Sequence, residues 1–104
     1  MTVILKRPGE EPKKIDIEDT LEAYRSIIGG SLEHLGFGNG IGMLFDEDGK
    51  FKDLSPNFFL FDDREAPIDV VVGNVLFVGE KGEEFVSLSD EQIEHILETF
   101  GAAR

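Results

Sequence analysis

Residues 72–100 constrain the fold more than any other stretch of the chain. They read Val-Gly-Asn-Val-Leu-Phe-Val-Gly-Glu-Lys-Gly-Glu-Glu-Phe-Val-Ser-Leu-Ser-Asp-Glu-Gln-Ile-Glu-His-Ile-Leu-Glu-Thr-Phe. An apolar strand, a glycine turn, a short return strand and an amphipathic helix follow one another. Ser89 and Gln92 stand three apart, the spacing at which each side chain satisfies the other's backbone N–H in a capping box. Leu88 and Ile93 flank that cap as a hydrophobic staple. Ile93, Ile96, Leu97 and Phe100 then recur at i, i+3, i+4 and i+7, a single buried stripe. Gly101 closes the helix.

The chain before this stretch reads as short strands and one more helix. Thr2 to Lys6 and Lys14 to Glu18 are strands, and the prolines and glycine of residues 7–12 make them a hairpin with a long loop. Thr20 to Ile28 is a helix with Leu21, Tyr24 and Ile28 on one face. Asp19 and Glu22 form its capping box, and Gly29-Gly30 end it. Ser31 to Phe37 and Ile41 to Phe45 flank Gly38-Asn39-Gly40, and Asn-Gly is the strongest short hairpin signal because both residues accept positive φ. Asp46 to Gly49 is a surface turn. Leu54 to Asn57 turns into Phe58-Phe59-Leu60-Phe61, four apolar residues without a readable period. Residues 62–67 form a solvated loop. Ile68 to Val72 and Asn74 to Val78 are expected to form one long central strand with a bulge at Gly73. The pattern predicts an α+β fold: a mostly antiparallel sheet with two helices, the C-terminal one packed on the sheet. A length of 104 residues, with no repeat or internal boundary, predicts a single domain over 1–104.

With 40% hydrophobic residues the chain can build a core unaided. Nine Phe against a single Tyr, Tyr24, suit packing more than a polar aromatic binding surface. The absence of Cys excludes disulfides, thiolate metal sites and cysteine nucleophiles. Neither a membrane-length apolar run nor a signal-peptide layout is present, so a cytoplasmic location is expected.

Each motif that could carry chemistry fails on a specific residue. The glycines of 36–42 lack the third position of a dinucleotide fingerprint and the Gly-Lys-Ser/Thr of a phosphate loop, and a strand follows them. Counted from Asp46, a calcium loop needs glycine at its sixth position and glutamate at its twelfth, where Phe51 and Asn57 stand. His34 and His95 belong to no paired-histidine motif. Glu91 with His95, four apart on one helix face, would need a third ligand from elsewhere to hold a metal, an arrangement far rarer than an exposed histidine beside glutamates. Gly29-Gly30-Ser31-Leu32-Glu33 has Glu33 where a hydrolase elbow needs glycine. No catalytic residue, cofactor or metal is expected.

Charge is the remaining signal. The formal net charge is −12, and it is uneven. Residues 1–14 hold four basic and two acidic side chains, whereas the rest hold six basic and 20 acidic ones. Such a body repels nucleic-acid phosphates and anionic membranes and attracts a basic protein. Asp90, Glu94 and Glu98 fall at i, i+4 and i+8 with Glu91 beside them, carboxylates about 6 Å apart along a helix. These four are the candidate partner-binding residues. The spacing is comparable to that of phosphates on a nucleic-acid strand.

The chain also resembles a family, domain of unknown function 3846, over nearly its whole length. The resemblance lies in Val-Ile-Leu-Lys-Arg-Pro-Gly-Glu-Glu-Pro at 3–12, Ile-Glu-Asp-Thr-Leu-Glu-Ala at 17–23, Asp48-Gly49-Lys50 and Leu54-Ser55-Pro56-Asn57. It is strongest in Ile68 to Gly73, Val78-Gly79 and Val86 to Ile93. These are turn and cap residues, so the resemblance implies a fold and no activity. It also implies a bacterial setting, often a phage or conjugative element. The expected function is a non-enzymatic accessory protein that binds another protein through its acidic surface. One alternative is a DNA-mimicking, anti-defence inhibitor of a nucleic-acid-handling enzyme. Another is a small-ligand-binding domain or enzyme whose site is assembled from separate strands.

Overall fold

The computed structural model describes residues 1–101. Eight strands and two helices run in the order β1 (Thr2–Lys6), β2 (Lys13–Asp16), α1 (Leu21–Ile28), β3 (Leu32–Gly38), β4 (Ile41–Asp46), β5 (Pro56–Phe61), β6 (Pro67–Val72), β7 (Val75–Lys81), β8 (Glu84–Val86) and α2 (Asp90–Thr99). The six-stranded sheet has the order β2-β1-β7-β4-β3, with β8 paired to β7, and β5 and β6 form a separate two-stranded sheet. Every pairing is antiparallel. The fold is α+β, a mostly antiparallel sheet with two helices.

β7 organises the molecule because it is apolar on both faces, and a strand's side chains alternate between faces. Val75 and Phe77 join Ile4, Ile41, Met43, Val71, Leu88 and Ile96 in one buried cluster. Leu76 and Val78 join Val3, Leu5, Leu44, Tyr24 and Ile28 in the other. The sheet is thus covered on one face by α1 and on the other by α2 and the β5–β6 hairpin. On the second face Phe77 of the sheet, Phe58 of the hairpin and Phe100 at the end of α2 meet, with ring centroids 4.9 to 6.2 Å apart. Aromatic pairs at such distances add to what their burial contributes. β8 continues the line of β1 along the edge of β7: Leu88 N–H donates to the Thr2 carbonyl and Thr2 N–H to Ser87 Oγ.

The C-terminal helix follows its sequence signals closely. The Ser89 side chain accepts from Gln92 N–H, and the Gln92 side chain accepts from Ser89 N–H. Ile96 is fully buried, while Ile93, Leu97 and Phe100 are half-buried against the same cluster. Asn39 and Gly40 both have positive φ, +57° and +71°, as the two-residue turn between β3 and β4 requires.

Four expectations are corrected, and the unassigned stretch 58–61 is placed. Residues 68–78 do not form one strand. Gly73, at φ +77°, turns the chain so that β6 leaves for the two-stranded sheet and β7 enters the centre of the large one. Gly73 N–H donates to the Ser55 carbonyl and Asn57 Nδ2 to the Gly73 carbonyl, which fixes that turn. Residues 58–61 are strand, with Phe58 and Leu60 half-buried and Phe59 and Phe61 exposed, so apolar residues on both faces hid the period. The N-cap of α1 is Thr20, whose hydroxyl accepts from Ala23 N–H. Asp19 accepts the Tyr24 hydroxyl instead. Leu21 lies outside the buried face of α1 at 53% exposure. Asp46, expected on the surface, is buried.

Candidate functional site

α2 presents its carboxylates outward because its apolar stripe is spent on the sheet. Asp90, Glu91, Glu94 and Glu98 are all exposed, and none is in an ion pair among the described residues. The helix is anchored at its N-terminal end by Gln92, whose Nε2 donates to the carbonyls of Asn39 (2.9 Å) and Gly40 (3.1 Å). Asn39, Ser89, Glu91, Gln92 and His95 line an open hollow there. The four residues singled out by sequence therefore share one helix, tied at its N-terminal end to the β3–β4 turn. Their chemistry is that of fixed negative charge.

A second surface was not visible in the sequence. Glu33 and Leu35 of β3, Phe45 of β4, Phe51 of the 46–53 loop and Leu60 and Asp69 of the hairpin line a groove of about 330 Å³. Leu35 is 41% and Phe51 91% exposed. The groove owes its shape to Asp46 at the end of β4. Its carboxylate accepts from Asp48 N–H and from Lys52 Nζ, both at 2.8 Å, and so folds the loop back on itself. Gly30 leaves room for that pair, since a Cβ there would lie 2.6 Å from Lys52 Nζ and 2.8 Å from Asp46 Oδ2. Burial pushes the Asp46 carboxyl up, but the Lys52 ammonium and the Asp48 amide outweigh it and hold it below the ordinary value of 3.8. Across the groove Lys50 Nζ donates to Asp69 Oδ1 at 2.5 Å. That ammonium and the Val70 N–H hold the Asp69 carboxyl low as well. These polar groups satisfy one another and do not converge on an empty centre.

On the opposite face of the sheet His34 Nε2 and Glu80 Oε2 lie 2.5 Å apart, with Phe85 edge-on to the imidazole at 5.1 Å. The pair spans the intervening β4 at Gly42, where a Cβ would come within 2.8 Å of both side chains. His95 lies on α2 against Phe37, remote from His34 in sequence and in a different hollow. Among the described residues no three His, Asp or Glu side chains are grouped to hold a metal ion. No helix among them is long and apolar enough to cross a membrane. Lys6 is buried with its Nζ on the Arg7 carbonyl (3.0 Å) and Asn57 Oδ1 (2.9 Å), and over the Phe100 ring. Burial pushes its pKa down, with Glu10 opposing. Its hydrogen bond to Asn57 ties β1 to β5, and its contact with the Phe100 ring reaches the end of α2, which is a packing role.

The sequence pattern of one family, described as a domain of unknown function (DUF3846), covers residues 1–101. The chain belongs to the DUF3846 family. No curated protein and no solved structure matches it. The residues of this DUF3846 domain that carry the likeness hold the fold together. Asn57 donates to the Lys6 and Gly73 carbonyls at 2.8 Å, and Ser89 caps α2. Gly79 packs against Val86 and Ser87, where a Cβ would meet backbone oxygens at 2.8 and 2.9 Å.

Proposed function

We propose that this DUF3846 domain is a small, non-enzymatic binding protein that acts by protein–protein contact on a partner with a basic surface. The observation that carries the reading is the outward row of Asp90, Glu91, Glu94 and Glu98, exposed and unpaired among the described residues on a helix pinned at one end. Fixed charge on a preorganised element steers association and selects partners of opposite sign. The sharper version of the proposal makes the partner a nucleic-acid-handling enzyme whose basic groove the helix occupies in place of phosphates. The setting, bacterial with a phage or mobile element as the source, rests on the family resemblance. A ligand-binding or enzymatic role has less support, because Asp46 and Asp69 in the groove of Leu35 and Phe51 are bound to lysines and its remaining acids, Glu33 and Glu47, are exposed.

The test is affinity capture from a host lysate at low and high salt, with the wild type beside Asp90→Asn/Glu94→Gln/Glu98→Gln. A partner retained at low salt, released at high salt and lost by the triple variant supports the proposal. Capture that is indifferent to both salt and the triple substitution counts against it.

A further inference from the structure

We propose that the groove between β3 and the β5–β6 hairpin receives an extended segment of a basic partner, which adds a strand to the open edge of β3. The inference rests on the reading of this chain as a binder of basic proteins and assigns a second, separate contact surface to it. Three observations on β3 support it. First, β3 is the terminal strand of the large sheet and has no partner on its outer side among the described residues. Such an edge offers unpaired N–H and C=O groups to an incoming chain. The opposite edge strand, β2, carries exposed Lys13 and Lys14, which discourage pairing. β3 has neither lysine nor proline, and its register is regular from Leu32 to Gly36 before it shifts.

Second, the alternation of β3 supplies side-chain pockets. Glu33 and Leu35 pair with Phe45 and Met43 and so point to the face that the hairpin covers. Leu35 is exposed there beside Phe51, with Phe45, Leu60 and Val71 also lining the groove. Apolar surface of this kind, rimmed by charge, marks contact sites. Third, the rim chooses the sign. Four carboxylates, Glu33, Asp46, Glu47 and Asp69, line the groove against one lysine, Lys50. Asp46 and Asp69 are bound to lysines, which leaves Glu33 and Glu47 exposed and unpaired among the described residues. A second copy of the chain would add two more exposed glutamates to the groove and no Lys or Arg of β3 to meet those present, whereas a basic segment neutralises them. The segment that fits has Lys or Arg facing Glu33 and, two residues along, Val or Ile facing Leu35.

The probe is the peptide Lys-Thr-Ile-Thr-Val-Thr-Lys, matched to the seven residues of β3. Its counterpart has Glu at both ends. Titrated into isotope-labelled protein, the basic peptide is expected to shift the amide resonances of residues 33–36 and 69–71, and the acidic one to leave them in place. Leu35→Glu and, at a position too exposed to affect folding, Phe51→Ser are each expected to weaken binding at least about tenfold, the loss typical of a contact hot spot. Shifts confined to the amides of residues 90–98 place the contact on α2 and overturn the groove while leaving the basic-partner reading intact. Equal binding of the acidic peptide, no shifts in the groove, or self-association through β3 in place of peptide binding also overturns it.

Discussion

Gln92 shows how much a single polar side chain can hold. Its Oε1 accepts from the Ser89 N–H to complete the cap, and its Nε2 donates to two carbonyls in the β3–β4 turn. Gln92→Ala removes all three contacts, whereas Ser89→Ala removes the hydroxyl that accepts from Gln92 N–H. Ser89→Ala is expected to cost about 1 kcal/mol, the usual value for a lost N-cap. Gln92→Ala is expected to cost more, about 1–3 kcal/mol, from several modest hydrogen bonds. Urea melts of the two variants check the order, and the reverse order would mean that the tie to the turn contributes nothing. Asp46 gives a second prediction. Its carboxyl titrates lower in the folded chain than the ordinary 3.8, so its contribution is complete above that value and is lost as pH falls through the lower, folded one. Asp46→Asn should therefore destabilise at about pH 6, with the gap to wild type narrowing as the pH is taken below about 3. A gap that stays constant with pH would show that the Lys52 contact contributes little. The sequence around Asp46 suggested only a turn, because burial there depends on Gly30 and Lys52, which a linear motif does not place together.

At the scale of elements, α2 and β7 differ in how much the sequence could say. α2 was legible because its cap, staple and apolar stripe are all local. Ile96 is its fully buried residue and Leu97 is half-buried. Ile96→Ala is accordingly expected to cost about 2–5 kcal/mol by opening a cavity, and Leu97→Ala less, in thermal or denaturant melts. The join between β8 and β7 is equally tight. Gly79→Ala sets a methyl against the Val86 and Ser87 carbonyls, which belong to backbone and cannot rotate away. An overpacking loss of about 1–3 kcal/mol is expected, with hydrogen exchange raised first in residues 84–88. The error at residues 68–78 has the opposite cause. A run of β-branched residues interrupted by glycine reads the same whether the chain bulges within one strand or turns into another sheet. The contacts that decide it come from Ser55, Leu54 and Asn57, distant in sequence from β7. The apolar hairpin strand Phe58–Phe61 was opaque for a similar reason, since one face meets Phe77 and Phe100 while the other is open. The groove beside it arises between three elements and has no linear signature.

For the whole molecule, the two proposed contact surfaces differ in charge and in shape. The net charge of −12 is carried mainly beyond residue 14, and the outward acids of α2 lie on a helix that Gln92 ties to the β3–β4 turn. Replacing Asp90, Glu94 and Glu98 by Asn and Gln should barely alter stability. Asp90 sits in the first helical turn, where the helix dipole favours it, and Glu98 in the last, where the dipole opposes it. The three also repel one another at i, i+4 spacing, so the losses and gains nearly cancel. Denaturant midpoints of the triple variant and the wild type are therefore expected to coincide within about 0.5 kcal/mol. Binding should respond differently. Exposed charges act over roughly 10 Å at 0.1 M salt, so the triple variant should associate more slowly with a basic partner, and wild-type affinity should fall as salt rises. DNA and RNA should not bind at any salt, because their phosphates meet carboxylates and no counterion release rewards the contact. Association rates at several ionic strengths separate these effects from the groove, whose apolar contacts should govern dissociation and depend little on salt. Retained nucleic acid, or a partner affinity that climbs with salt, would overturn the electrostatic account.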